Sequence, residues 1–310
     1  MIIDTATKKS ILLKMQSNSV HVDQKSSRIK ALIYGASGVG KTVLAVAIAR
    51  QLIGPNKDII FVDVDEGYES LRNHPSLLKR VIPIQYDSVE QLYVIAEAVA
   101  HGGHKPFDNV GAIIFDDADF MAAQDLNELW HNRVINSPTS KLDPEKPERP
   151  EYLKLGFRFN EVLDFIYSHT PNVHLFLTTQ EKEKKSQDGS VVLNVFPGFN
   201  PALAGEVKAK LLIVCRMTAK EVKDGDNANY VRTVQVHPTM MVDAKTRIGC
   251  NKIRYDATDF LHHVVNWVES GRPEDKEIDA VRVDISTKKM VTPEDIVIGG
   301  TDDDTPAFFQ

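Results

Sequence analysis

The chain has 310 residues, of which 42% are apolar, and a formal net charge of −6. That is ample apolar material for a sizeable core, while the excess of acid excludes a uniformly basic nucleic-acid coat and leaves a local basic groove as the only basic surface to look for. Two cysteines, Cys215 and Cys250, lack metal-ligand spacing and exclude a disulfide framework, so a reducing compartment is expected.

Residues 1–28 are polar apart from Ile11–Leu13 and read as an arm that packs on the core or on a neighbouring subunit. The opening MIIDTATKKSILLKMQ lacks the long apolar run of a signal peptide, and no 18-residue apolar stretch occurs, so a soluble cytoplasmic protein without a membrane partner is expected. From residue 29 to 271 the pattern is that of one α/β core. KALIY, residues 30–34, predicts a short strand, TVLAVAIARQL an apolar-faced helix, and Asp58–Glu66 a second strand, which together make a βαβ unit and hence a parallel sheet. Ser88 and Gln91 form a capping box for a helix over Ser88–Ala100 that Gly102 stops. Val110–Phe115, a continuous apolar run, predicts a third, buried strand ending in Asp116 and Asp117.

A helix over Asp119–Arg133 precedes a proline-rich exposed loop, residues 136–151, and a helix over Tyr152–Ser168 leads to a fourth strand, Val173–Thr179. EKEKKSQDGS then reads as a charged loop. Lys208–Val222 and Asn229–Val236 alternate around KDGDNA as an antiparallel hairpin at one edge of the sheet. A last helix spans Ala257–Ser270, and residues 272–310 form a charge-rich acidic tail with little apolar periodicity.

The most specific signal is Gly35-Ala36-Ser37-Gly38-Val39-Gly40-Lys41-Thr42, between the first strand and the first helix. It matches G-x-x-x-x-G-K-[ST], whose backbone N–H groups wrap the phosphates of a nucleoside triphosphate. The glycines let backbone approach oxygen without a Cβ in the way, Lys41 supplies a charge for the β- and γ-phosphates, and Thr42 a hydroxyl for Mg²⁺. ATP and Mg²⁺ are the cofactors expected. Asp116, at the end of an apolar strand, is the carboxylate expected to hold Mg²⁺ together with Thr42, and Asp117 to help order water. The second strand ends in Asp63, Asp65 and Glu66. Asp65 or Glu66 is the candidate base for the attacking water. Gln180, at the end of the fourth strand, is placed to sense the γ-phosphate and to pass its state to the loop behind it.

This order of parts resembles the ATPase core of the RecA family, a P-loop NTPase fold with a mainly parallel central sheet, flanking helices and an antiparallel edge hairpin. IIFVDVDEGYESL, LFLTTQEKEKK and PALAGEVKAKLL are most similar to the phage ATPases described as RecA-like single-strand annealing proteins, over residues 28–270. That resemblance implies an oligomeric ATPase, with ATP sites at subunit interfaces, that binds single-stranded DNA and promotes annealing or strand exchange in recombination; for a phage-encoded protein the location would be the host cytoplasm. It implies that the loop after Gln180 contacts DNA, with Lys182, Lys184 and Lys185 on the backbone and Phe196 and Phe199 available for stacking. It also implies that Lys245 and Arg247, in DAKTRIG, are a finger inserted into the neighbouring subunit's site, where a guanidinium fork neutralises charge growing on the γ-phosphate; a solvated charged turn is the alternative.

Two further features weigh less. His101 and His104, in HGGH, have no third ligand at suitable spacing and read as a helix-ending loop. TDDDTPAFFQ is similar to the acidic tip of bacterial single-strand DNA-binding proteins, which docks on partner proteins, yet Thr305, Ala307 and Gln310 break that pattern; a solubilising tail and one that competes with DNA are the other readings. Two other functions share the cradle. A hexameric helicase or loader motor would have the same finger, and a P-loop nucleotide kinase would need an arginine-rich lid that the sequence lacks.

Overall fold

The computed structural model describes residues 28–269 apart from 103–104, 138–142, 144–146 and 225–226. The arm over residues 1–27, the acidic tail, His104 and much of the proline-rich loop lie outside the described residues. Strand β1 (Lys30–Gly35) leads into helix α1 (Lys41–Ile53), and β2 (Asp58–Asp63) into a 3-10 turn (Gly67–Asn73), the short α2 (Pro75–Leu78) and β3 (Val81–Gln85). Next come α3 (Val89–His101), β4 (Val110–Asp116), α4 (Ala118–Asn136), α5 (Arg149–His169) and β5 (His174–Lys185). After them follow β6 (Val192–Pro197), α6 (Pro201–Lys210), β7 (Ile213–Asp224), β8 (Asn227–Gln235), β9 (Lys245–Thr246), β10 (Arg254–Asp256) and α7 (Ala257–Glu269).

The strands form one sheet in the order β10-β8-β7-β1-β5-β4-β2-β3, with β6 paired to β5 and β9 to β7. From β7 to β3 all neighbours are parallel, while β8, β10, β6 and β9 add antiparallel pairs. The α/β class and the antiparallel extension are as expected. Burial on both faces explains the apolar runs: Leu32 and Tyr34 of β1 and Ile113 and Phe115 of β4 pack with α3–α6, whereas Ala31, Ile33, Ala112 and Ile114 pack with α1 and α7. Each large apolar side chain so buried contributes about 1.5–3 kcal/mol.

Local chemistry sets the element ends. Ser88 accepts from the Gln91 backbone N–H at 3.3 Å and Gly102 closes α3 at φ 60°, as the capping box requires. Arg28 donates to the carbonyls of Ile166, Tyr167 and Thr170 at 3.3, 2.8 and 2.5 Å, satisfying the C-terminal end of α5.

Several expectations are corrected. The second strand stops at Asp63 rather than Glu66, because Asp63 accepts from the N–H groups of Asp65 and Tyr68 at 3.1 and 3.0 Å and so folds the chain into the 3-10 turn. The sequence reading has no strand at Val81–Gln85; among the described residues β3 pairs only with β2, an outer position that tolerates Pro83. EKEKKSQDGS is not a loop throughout: β5 continues to Lys185 and pairs antiparallel with β6, and only the residues around Asp188 and Gly189 make the turn. Lys208–Lys210 belong to α6, which Asn200 caps by accepting from Leu203 N–H at 3.0 Å, and not to the strand that follows. α4 and α5 extend beyond the expected Asp119–Arg133 and Tyr152–Ser168, so Arg149–Glu151 are helical rather than loop.

Candidate nucleotide site

The parallel strands β1, β4 and β2 end at the same rim, which β5 crosses at Gln180, and Gly35–Thr42 lies there between β1 and α1. Gly38 and Gly40 adopt φ of 77° and 102°, which side-chain-bearing residues rarely do, and a Cβ on Gly35 would overlap the Met217 carbonyl. The Lys41 ammonium is buried and donates to the carbonyls of Gly35 and Ala36 at 3.2 and 3.1 Å. Ser37 stays exposed at the crest of the loop.

Thr42 Oγ1 donates to Asp116 at 2.9 Å, so the two residues named for Mg²⁺ meet. Asp116 is 4% exposed and also accepts from the Thr178 hydroxyl. Burial, and then the charge of Asp117, pushes its carboxyl up to about 7, against the hydroxyl bonds from Thr178 and Thr42 that lower it. A buried carboxylate with two hydroxyl oxygens beside it is a hard oxygen set of the kind a divalent cation takes; the residues present fit Mg²⁺.

Gln180 Nε2 donates to Asp117 Oδ2 at 2.5 Å, and Thr178 Oγ1, whose one proton goes to Asp116, lies 2.8 Å from Asp117 Oδ1. The Gln180 backbone N–H donates to Asp119 Oδ1 at 3.2 Å. Burial, then Asp117, raises Asp119 to about 6. Thr178 and Asp119 are residues that the sequence reading passed over. Thr178 was accessible from period-two alternation, since it shares a strand face with Gln180; nothing local in the sequence marks Asp119.

Asp65 and Glu66 are exposed on the turn after β2, with Glu66 at φ 56°. Asp63, 2% exposed, shapes that turn from below, and Gly67 fits against the site because a Cβ there would lie 2.5 Å from Asp116 Oδ2. The turn thus carries two exposed acids directly before Gly67, the residue that abuts Asp116.

The other candidate residues lie farther along the chain. Lys182, Lys184 and Lys185 are exposed on the outer half of β5, where Lys182 pairs with Phe196 and Lys184 with Asn194. Phe199 is 2% exposed, packed edge-on against Phe159, which corrects its assignment to base stacking. Lys245 donates to the carbonyls of Lys208 and Ala209 at 2.7 and 3.2 Å, at the end of α6. Arg247 is exposed, and its guanidinium makes no hydrogen bond or ion pair among the described residues. Cys215 and Cys250 are buried free thiols, as expected. Among the described residues no group of three or more His, Cys, Asp or Glu is arranged to hold a metal, and no helix is long and apolar enough to cross a membrane.

A family model described as an AAA domain matches residues 27–248, well over half of the chain. The chain belongs to this AAA-domain family of P-loop ATPases. ATP and Mg²⁺ use is general in such a family, and the AAA-domain match takes in the cradle, Asp116, Gln180 and the Lys245–Arg247 segment. No curated protein matches the chain.

Proposed function

We propose that this protein is an oligomeric, RecA-like, Mg²⁺- and ATP-dependent ATPase that binds single-stranded DNA and promotes its annealing or strand exchange, as in phage recombination. The observation that carries this reading is the continuity of β5. One strand runs from Thr178, which donates to Asp116, through Gln180, which donates to Asp117, to the exposed Lys182, Lys184 and Lys185.

On this reading the cradle N–H groups and Lys41 bind the β- and γ-phosphates, Thr42 and Asp116 hold Mg²⁺, and Asp65 or Glu66 takes the proton of the attacking water. Bound Mg²⁺ supplies neutralisation of phosphate charge and fixes its geometry. Gln180 registers the phosphate and moves with the outer half of β5, whose lysines meet the DNA backbone. Arg247 reaches a neighbouring subunit's site, and its guanidinium, unpaired among the described residues, supports that role.

The deciding experiment measures ATP hydrolysis with and without single-stranded DNA, alongside the oligomeric state. Stimulation by DNA in an oligomer is expected, and a rate indifferent to DNA would sink the recombination role. ATP-driven unwinding of a duplex would instead favour the helicase motor.

A further inference from the structure

Arg232 lies on β8, outside every motif named above, and touches the cradle. Its Nε donates to the Val39 carbonyl at 3.1 Å, and a Cβ built on Gly40 would lie 3.2 Å from that nitrogen. The guanidinium therefore rests on the outer side of the Val39–Gly40 peptide. In a trans peptide the carbonyl and the following N–H point in opposite directions. Holding the Val39 carbonyl outward turns the Gly40 N–H inward, toward the space the loop encloses.

Charge gives a second, independent reason. The residue is exposed, and no acidic side chain pairs with it among the described residues. Its remaining four N–H donors make no hydrogen bond among those residues, although a guanidinium presents five in a fixed fork. An unneutralised arginine at the lip of a loop that binds polyphosphate adds to the local positive field.

We propose that Arg232 is a positioning residue for the triphosphate, clasping the cradle from β8 and supplying a second positive charge beside that of Lys41. This rests on the ATPase reading and deepens it. Arg232 acts through the loop, so its effect falls on nucleotide affinity more than on the rate of the chemical step.

The test is binding of a fluorescent ATP analogue with Mg²⁺ to the full chain, at low and high salt, with thermal melts run alongside. Arg232→Ala should weaken binding about tenfold at low salt, the equivalent of about 1.4 kcal/mol, and less at high salt. Hydrolysis at saturating ATP should keep its rate within about twofold, a KM effect without a kcat effect. Arg232→Gln keeps a donor and drops the charge, so its weakening should show at low salt and fade at high salt; Arg232→Lys should recover that salt-dependent part. Lys220→Ala removes a charge from the neighbouring strand without touching the loop and should bind as the wild type does. Unchanged affinity in Arg232→Ala and Arg232→Gln, with or without a fall in melting temperature, would overturn the proposal. A wild-type protein that binds no nucleotide would overturn the ATPase reading instead.

Discussion

The two halves of β5 differ in everything except their backbone. From His174 to Thr179 the strand lies between β1 and β4, and Leu175, Phe176, Leu177, Thr178 and Thr179 are buried. From Glu181 to Lys185 it pairs, among the described residues, only with β6, and Lys182–Lys185 are exposed. The change falls at Gln180, whose backbone and side chain both bond to acids of the β4–α4 junction. A stiff, desolvated half can hold an acid cluster in place, and a solvated half can meet a partner; joining them in one strand leaves little slack between the two tasks.

Four variants would break or sharpen that contrast. The largest effect is expected from Lys41→Ala at the buried end: ATP hydrolysis should fall by at least about a hundredfold, since the phosphate loses its charged donor, and residual hydrolysis near wild type would remove Lys41 from the site. Arg247→Ala should also lose hydrolysis about a hundredfold or more while still binding nucleotide. Mixing it with the Lys41→Ala protein should restore some activity if the finger serves a neighbour; no recovery would point to a role within its own chain.

At the exposed end, replacing Lys182, Lys184 and Lys185 together by alanine should weaken single-stranded DNA binding about tenfold or more and reduce the salt slope by about 2, from three lost phosphate contacts. An unchanged slope would clear that half of the strand of any DNA contact. The smallest effect concerns stability. Asp116 is raised by burial, so the folded protein holds its proton more tightly than the unfolded chain does, and stability without cation should be full below the ordinary carboxylate range and fall as pH rises toward about 7. Asp116→Asn should flatten that dependence and raise the melting temperature at pH 8 by roughly 2–8 °C, as expected where a functional charge is kept at a cost in stability. Melting curves with the same pH slope in both proteins would show that the carboxyl is not the source.

The same contrast explains what was legible in the sequence. Residues buried on both faces, such as Ile113–Phe115 and Leu175–Leu177, show as apolar runs, and the cradle shows because few residue types can form it. The outer half of β5 reads as a loop because its strand pairing comes from β6 and leaves no apolar pattern on lysine and glutamate. β3 was hidden for a related reason, being short, half-exposed and interrupted by Pro83. Asp116 and Thr42, singled out by spacing and chemistry, lie in hydrogen-bond contact, whereas Thr178, Asp119 and Arg232 join the rim through tertiary contacts that span tens to hundreds of residues. Phe199 shows the opposite error, because aromatic content cannot say which ring a helix will cover.

Lys245 sets a limit of another kind. With its ammonium on the last carbonyls of α6, it is moored to its own chain, and Arg247 stands only two residues away. Two residues of extended chain span at most about 7 Å, so the arginine is on a short leash. If it serves a neighbour, that neighbour must come to it: the tolerance of the assembly would be set by how closely subunits dock and hardly at all by loop motion, and lengthening the leash by a glycine between the two residues should loosen the requirement for tight docking.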